Sequence, residues 1–304
     1  MSKSGILLLN KPAGISSARV LTPLKRRLTG SKIGHTGTLD PFAEGLLVVL
    51  VGAATRLSSW FLSSDKRYRA TIALGAETDT LDTEGSIVEE AAVPDFAALD
   101  AVRPQFIGAI AQVPPSYSAL KVEGKRAYQL ARAGTAVAIA AREVRIFNLD
   151  LTPTESPDAV AMDVHCGSGT YVRSLARDLP RAVGSRGYCR SLQRYQVGPF
   201  RLEDAISVSD DTTAGELRAH IIPVTTALRA LGGFGEIVIS PEAAHRARHG
   251  KAVRTVVPVE ELNAAGSGRG ATLLLEASTG EEVAILENSD GHWRYRMVFP
   301  PGAD

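Results

Sequence analysis

The longest uninterrupted apolar run in the chain, Gly45 to Ala54, limits the folds open to it. It falls far short of the roughly 20 residues that a membrane span needs. Its centre, Leu46 to Val51, carries no polar residue on either alternating face. Such a strand has to be covered on both sides. A chain of 304 residues is long enough to provide that cover without covalent staples.

Hydrophobic residues make up 44% and charged residues 22%, the balance of a soluble globular protein, which excludes disorder for the bulk of the chain. Two cysteines, Cys166 and Cys189, exclude a disulfide framework and fit a reducing compartment. The start of the chain lacks the long apolar stretch and small-residue cleavage site of a signal peptide. A cytoplasmic protein is expected.

Strands are expected at Ile6–Leu9, Leu46–Val51, Tyr68–Leu74, Val144–Leu151, Val160–Cys166 and Tyr188–Val197. Helices are expected from Ser16-Ser17 to Leu28, over Thr55–Leu62, Asp95–Phe106 and Arg126–Ala133, and from a Gly169-Thr170 cap to Leu179. The irregular interleaving predicts an α+β fold on a mixed, mainly antiparallel sheet. The pattern shifts near Leu231-Gly232-Gly233, which divides the chain into 1–232 and a smaller α+β domain, 233–304.

Net charge is only +1, yet the charges are segregated. The first forty residues carry Lys3, Lys11, Arg19, Lys25, Arg26, Arg27 and Lys32 against Asp40 alone. From Glu77 to Asp100 every charged residue is acidic. Six arginines then recur between Arg173 and Arg194 against Asp178. This segregation builds either a basic face for a polyanion or a set of solvated helix faces.

The sharpest local feature is Gly34-His35-Thr36-Gly37-Thr38-Leu39-Asp40-Pro41. Its glycines permit backbone conformations closed to other residues, and Pro41 pushes Asp40 towards an extended one. The carboxylate either works in a cleft or closes an Asx-turn on its own backbone. A glycosidase would pair it with a second carboxylate, and Glu44 is the only acid close in sequence. No P-loop and no dinucleotide fingerprint occur, and His165, Cys166 and Cys189 lack metal-site spacing.

Gly34 to Leu47 resembles the signature of the TruB family of pseudouridine synthases, bacterial tRNA-modifying enzymes. Four further segments agree in order and spacing: Asn10–Ser17, Lys66-Arg67-Tyr68, Gln112–Lys121 and Gly169–Leu175. The resemblance covers about residues 5–200. It implies a uridine-to-pseudouridine isomerase acting at position 55 in the tRNA T-arm. No metal and no small-molecule cofactor is implied, and a monomer is expected.

By the same resemblance Asp40 is the catalytic carboxylate, Arg173 its ion-pair partner, and Tyr68 the residue that stacks on uracil. Leu192 packs on the base. His35 fills the space left by a flipped base or orders its own loop. Tyr171 is a further substrate contact. Lys11, Lys25, Arg26, Arg27, Lys32, Lys66, Arg194 and the other arginines between 173 and 194 are expected to track phosphates. Residues 116–142 are expected to grip RNA, and 233–304 to form a PUA-like RNA-binding domain. Two departures stand out: Gly167-Ser168 replaces a frequent lysine, and Gln193 replaces an arginine, so neither supplies a phosphate contact. The competing readings are a non-catalytic tRNA-folding factor and a base-releasing glycosylase.

Overall fold

The structure, a computed structural model, describes residues 4–117, 121–122, 125–126, 139–265 and 270–299. The strands, in chain order, begin with β1 (Gly5–Lys11), β2 (Ile33–Thr36), β3 (Glu44–Val51), β4 (Lys66–Leu74), β5 (Ala76–Thr78) and β6 (Ile87–Glu90). They continue with β7 (Gly108–Gln112), β8 (Lys121–Val122), β9 (Lys125–Arg126), β10 (Arg142–Pro153), β11 (Ala159–Cys166), β12 (Gly187–Val197), β13 (Phe200–Arg201) and β14 (Ile222–Pro223). A 10-stranded sheet has the order β14-β1-β3-β12-β4-β11-β10-β7, with β2 added to β3 and β13 to β12. In this sheet β12 runs parallel to β3 and the other pairings are antiparallel.

The apolar run becomes β3, between β1 and β12. Leu46, Val48 and Leu50 face one core, with Ile6, Leu8, Trp60 and Phe61. Leu47, Val49 and Val51 face another, with Leu7, Leu9, Val20 and Leu24. Leu46 to Val51 are at most 1% exposed, so burial on both faces explains why the run has no polar residue. A third core, under Tyr68, Ala70 and Ile72, is closed by Leu175, Ala176 and Leu179 of the helix Val172–Arg181.

The C-terminal segment makes its own 4-stranded sheet, β15 (Gly235–Ile239), β16 (Ala271–Glu276), β17 (Glu282–Ser289) and β18 (His292–Val298). Ala271, Leu273, Ile285, Met297 and Phe299 of that segment share a core with β1 and β3. The other face of this sheet closes a core of its own, with Ile237, Ile239, Leu262, Leu274, Val283 and Leu286. The glycine break at Gly232-Gly233 therefore separates two sheets, and the second has one private and one shared core.

Several elements differ from expectation. The first basic helix is two short ones, Ser17–Val20 and Thr22–Arg27. Pro23 sits in the first turn of the second, where its missing N–H costs nothing and its ring restrains the preceding residue. Pro104 likewise converts the end of the Asp95–Phe106 helix to 3-10. Gly34–Thr36 is not loop but part of β2, which pairs with β3. Gly169-Thr170 does not cap the next helix; Tyr171 is its N-cap residue, and the Gln112 amide satisfies Tyr171 N at 2.8 Å. The acid-only stretch begins with a hairpin, β5–β6, and β7 was not anticipated. The expected Arg126–Ala133 helix and most of 116–142 lie outside the described residues.

Candidate active site

Three elements meet at Asp40: the loop after β2, the turn after β5, and the N-terminal end of the helix Val172–Arg181. Arg173, only 3% exposed, is the hub. Its Nε lies 2.9 Å from Asp40 Oδ2 and its Nη1 lies 3.2 Å from Asp82 Oδ2. Nη1 also donates to the Thr80 carbonyl (2.6 Å), and Nη2 to the Tyr117 carbonyl (2.8 Å). The Nε–Asp40 contact is a charge pair rather than an aligned hydrogen bond, so the carboxylate keeps lone pairs free.

Asp82 was not singled out in the sequence. It is buried, accepts from Thr80 Oγ1 (2.6 Å) and Glu84 N (3.0 Å), and so offers its other oxygen to Arg173. Leu81, between the two Arg173 acceptors, has φ 62°, a conformation that leucine adopts only when its surroundings impose it. The available signal was the acid-only run, in which Asp79, Asp82 and Glu84 crowd before Gly85.

Burial raises the Asp40 pKa above the usual carboxylate range, against the pull of Arg173; the Asp82 charge raises it further, and Lys11 also pulls down. Desolvation of a carboxylate beside a paired guanidinium makes it a stronger base and nucleophile than one in water.

Asp40 stands between two cavities. One, of about 290 Å³, is lined by Tyr68, Leu192, Lys66, Thr170, Tyr171 and Arg194. The other, of about 650 Å³, is lined by His35, Ser16, Ser17, Asp82, Glu84 and Tyr117. Asp40, Arg173, Tyr68, Leu192 and Tyr171 are thus brought together, whereas His35 lies on the far side of Asp40. Burial, with Arg194 and Lys25 adding to it, lowers the His35 pKa and favours the neutral ring. Tyr68 is buried and its pKa is raised by desolvation, so the phenol stays protonated at neutral pH.

The expected phosphate-tracking roles need correction at Lys11, Lys66, Arg194 and the later arginines, whereas Lys25, Arg26 and Lys32 are exposed. Lys11 is 0% exposed and its Nζ donates to the carbonyls of Pro12 (2.9 Å), Ile15 (2.7 Å) and Pro41 (3.3 Å). Lys66 donates to Leu62 O (2.6 Å) and Ser64 O (2.5 Å). Burial lowers the pKa of both lysines to about 8. Arg194, 1% exposed, donates to Leu46 O (2.8 Å) and Gly37 O (2.9 Å). None of the three reaches the surface as a phosphate contact. The later arginines are neutralised too: Arg181 by Glu77, Arg186 by Glu89, Arg190 by Asp158, and Arg177 by Asp178. Three ion pairs, Arg173–Asp82, Arg181–Glu77 and Arg186–Glu89, join the arginine-rich segment to the acid-only one.

A third cavity, of about 640 Å³, lies over β4, β11 and β12 and includes Arg69, Asp163, Glu44 and Gln193. Its polar groups pair with one another, Gln193 with Glu44 (2.9 Å) and Arg69 with Asp163 (3.5 Å). Among the described residues no group of three or more His, Cys, Asp or Glu could hold a metal ion, and no helix is long and apolar enough to cross a membrane.

A family model described as TruB family pseudouridylate synthase (N terminal domain) matches residues 25–172. The chain is 37% identical to the tRNA pseudouridine synthase B of Rhizobium meliloti, over 97% of this chain and 95% of that one. It is 41% identical to that of Thiobacillus denitrificans, over 92% and 94%. Among solved structures, a chain of a Cbf5-Nop10-Gar1 complex superposes with a TM-score of 0.65 at 24% identity, over 93% of this chain and 78% of that chain. At that identity the likeness speaks for the fold.

Proposed function

Because the chain belongs to the TruB family of pseudouridylate synthases, we propose that it acts at position 55, in the T-arm of tRNA, with Asp40 as the working carboxylate. The reaction is the isomerisation of a tRNA uridine to pseudouridine. The C1′–N1 bond breaks, the uracil turns, and C5 joins C1′. The hydrogen lost from C5 is matched by one gained at N1, so substrate and product are isomers and no electrons are exchanged.

The observation that carries this reading is a half-buried carboxylate, ion-paired to a buried arginine, at the wall of a cavity lined by Tyr68 and Leu192. The cavity suits a single nucleoside, so the target uridine has to leave its stack, at a cost of a few kcal/mol. Asp40 then attacks the sugar carbon or removes a sugar proton. Tyr68 stacks on the uracil and takes part in removing the C5 proton, and Leu192 packs on the base. Tyr171 flanks the cavity, and His35 supports the nucleotide from the second cavity. The protein works as a monomer; residues 116–142 grip the RNA and 233–304 add a PUA-like RNA-binding domain.

The test uses an unmodified tRNA transcript carrying tritium at uridine C5. Wild type should release tritium to water at one T-arm uridine, and Asp40→Asn should bind the RNA without release. Turnover by Asp40→Asn would remove Asp40 from its role. Tight binding by wild type without release would favour the tRNA-folding reading, and free uracil as product would mark a glycosylase.

A further inference from the structure

Arg194 lies beneath the catalytic loop, and its contacts join parts of the site that are distant in sequence. Nη2 holds the carbonyl of Gly37, three residues before Asp40, and Nε holds the carbonyl of Leu46 at the start of the buried strand. Across the sheet, Arg194 is the register partner of Tyr68. The guanidinium beside the Tyr68 hydroxyl draws its pKa back down against burial. One planar cation therefore touches the loop that carries the carboxylate, the strand that follows it, and the ring on the opposite wall of the cavity.

Two signature glycines make room for it. A Cβ at Gly37, whose φ is 70°, would stand 3.3 Å from Arg194 Nη1. A Cβ at Gly45, whose φ is 102°, would stand 2.4 Å from the Arg194 carbonyl oxygen. The loop at Gly37 is thus shaped around this side chain, while Gly45 admits the main chain of the strand that carries it. Lysine could not replace it: an ammonium is a point donor and lacks the rigid fork that spans two carbonyls.

We propose that Arg194 is a positioning residue for the isomerisation, fixing the Asp40 loop and the Tyr68 ring at one separation across the bound uracil. This rests on the uridine reading of the cavity. Misplacing a reacting group by about 1 Å costs on the order of 100-fold in rate, and Arg194→Lys frees the Gly37 carbonyl or the Leu46 carbonyl to shift. A role confined to stability would lower the fraction of folded enzyme. It would leave the rate constant of the folded fraction unchanged.

The experiment measures single-turnover tritium release from C5-labelled tRNA by wild type, Arg194→Lys and Arg194→Gln, together with RNA affinity by filter binding. The expected result for both variants is a rate constant lower by about 100-fold with RNA affinity within about threefold of wild type. Arg194→Gln decides the matter by the same criteria if Arg194→Lys does not fold, because its neutral amide reaches only one of the two carbonyls and leaves no unpaired charge buried. A wild-type rate constant with a reduced amplitude, or rate and affinity falling together, overturns the proposal. Absence of release by wild type itself would instead refute the uridine reading.

Discussion

Replacing Asp82 by asparagine tests how Arg173 is held. Both side chains are almost fully buried and their charged atoms lie 3.2 Å apart. At an effective dielectric constant of about 20, two unit charges at that distance attract by about 5 kcal/mol. Arg173 keeps Asp40 and the carbonyls of Thr80 and Tyr117, so the net loss falls near the lower end of the roughly 3–5 kcal/mol expected when one partner of a buried pair is removed. Asparagine preserves the shape and an oxygen for Thr80 and the Glu84 amide, and turns its NH2 towards Arg173 Nη1, so an acceptor is lost along with the charge. Urea unfolding should therefore report a loss of about 3 kcal/mol. The same substitution removes a charge that raises the Asp40 pKa, so the acid limb of the single-turnover pH profile should move to lower pH. A stability loss below about 1 kcal/mol together with an unmoved acid limb would show that Asp82 neither anchors Arg173 nor tunes Asp40.

Lys11 titrates near pH 8 in the folded protein and at 10.5 when unfolded, so between those values the unfolded chain binds more protons and stability should rise with pH. Lys66 adds a like contribution, so Lys11→Met should lessen that rise and leave the Lys66 share; urea midpoints between pH 7 and 10 would check it. Gly45→Ala should destabilise by at least about 1–3 kcal/mol, since it combines a φ of 102° with a methyl 2.4 Å from a main-chain oxygen; a thermal midpoint equal to wild type would contradict the close approach of β3 and β12.

The elements legible in the sequence were those with a strong local cause. The run Leu46–Val51 had to be buried on both faces, and the alternation from Tyr68 to Leu74 marked β4. Elements stabilised chiefly by tertiary pairing were not legible: β2 forms because β3 offers it an edge, and β7 because β10 does. Among the site residues, the glycine-flanked loop drew attention to Asp40 but left an Asx-turn open until the family signature was added, whereas nothing local marked Asp82. Its role depends on a hairpin return and a strained Leu81 that carry it back to Arg173. The basic residues misled for a related reason. A lysine or arginine in a sequence looks like a surface charge, and only the fold shows which carbonyls it serves.

That misreading has a chemical consequence. Lys66, Arg173 and Arg194 all line the cavity beside Tyr68, yet their donors are committed to main-chain carbonyls or carboxylates. Burying cations without such partners would cost several kcal/mol each. With them, the cavity carries a positive field while offering few free donors to a phosphate. When the C1′–N1 bond breaks, electron density moves onto the uracil. A fixed field from preorganised cations then stabilises that charge without any group having to move. Arg173, one of these cations, also pulls the Asp40 pKa down against the burial that raises it, so a cation that does not grip the RNA backbone still bears on the carboxylate.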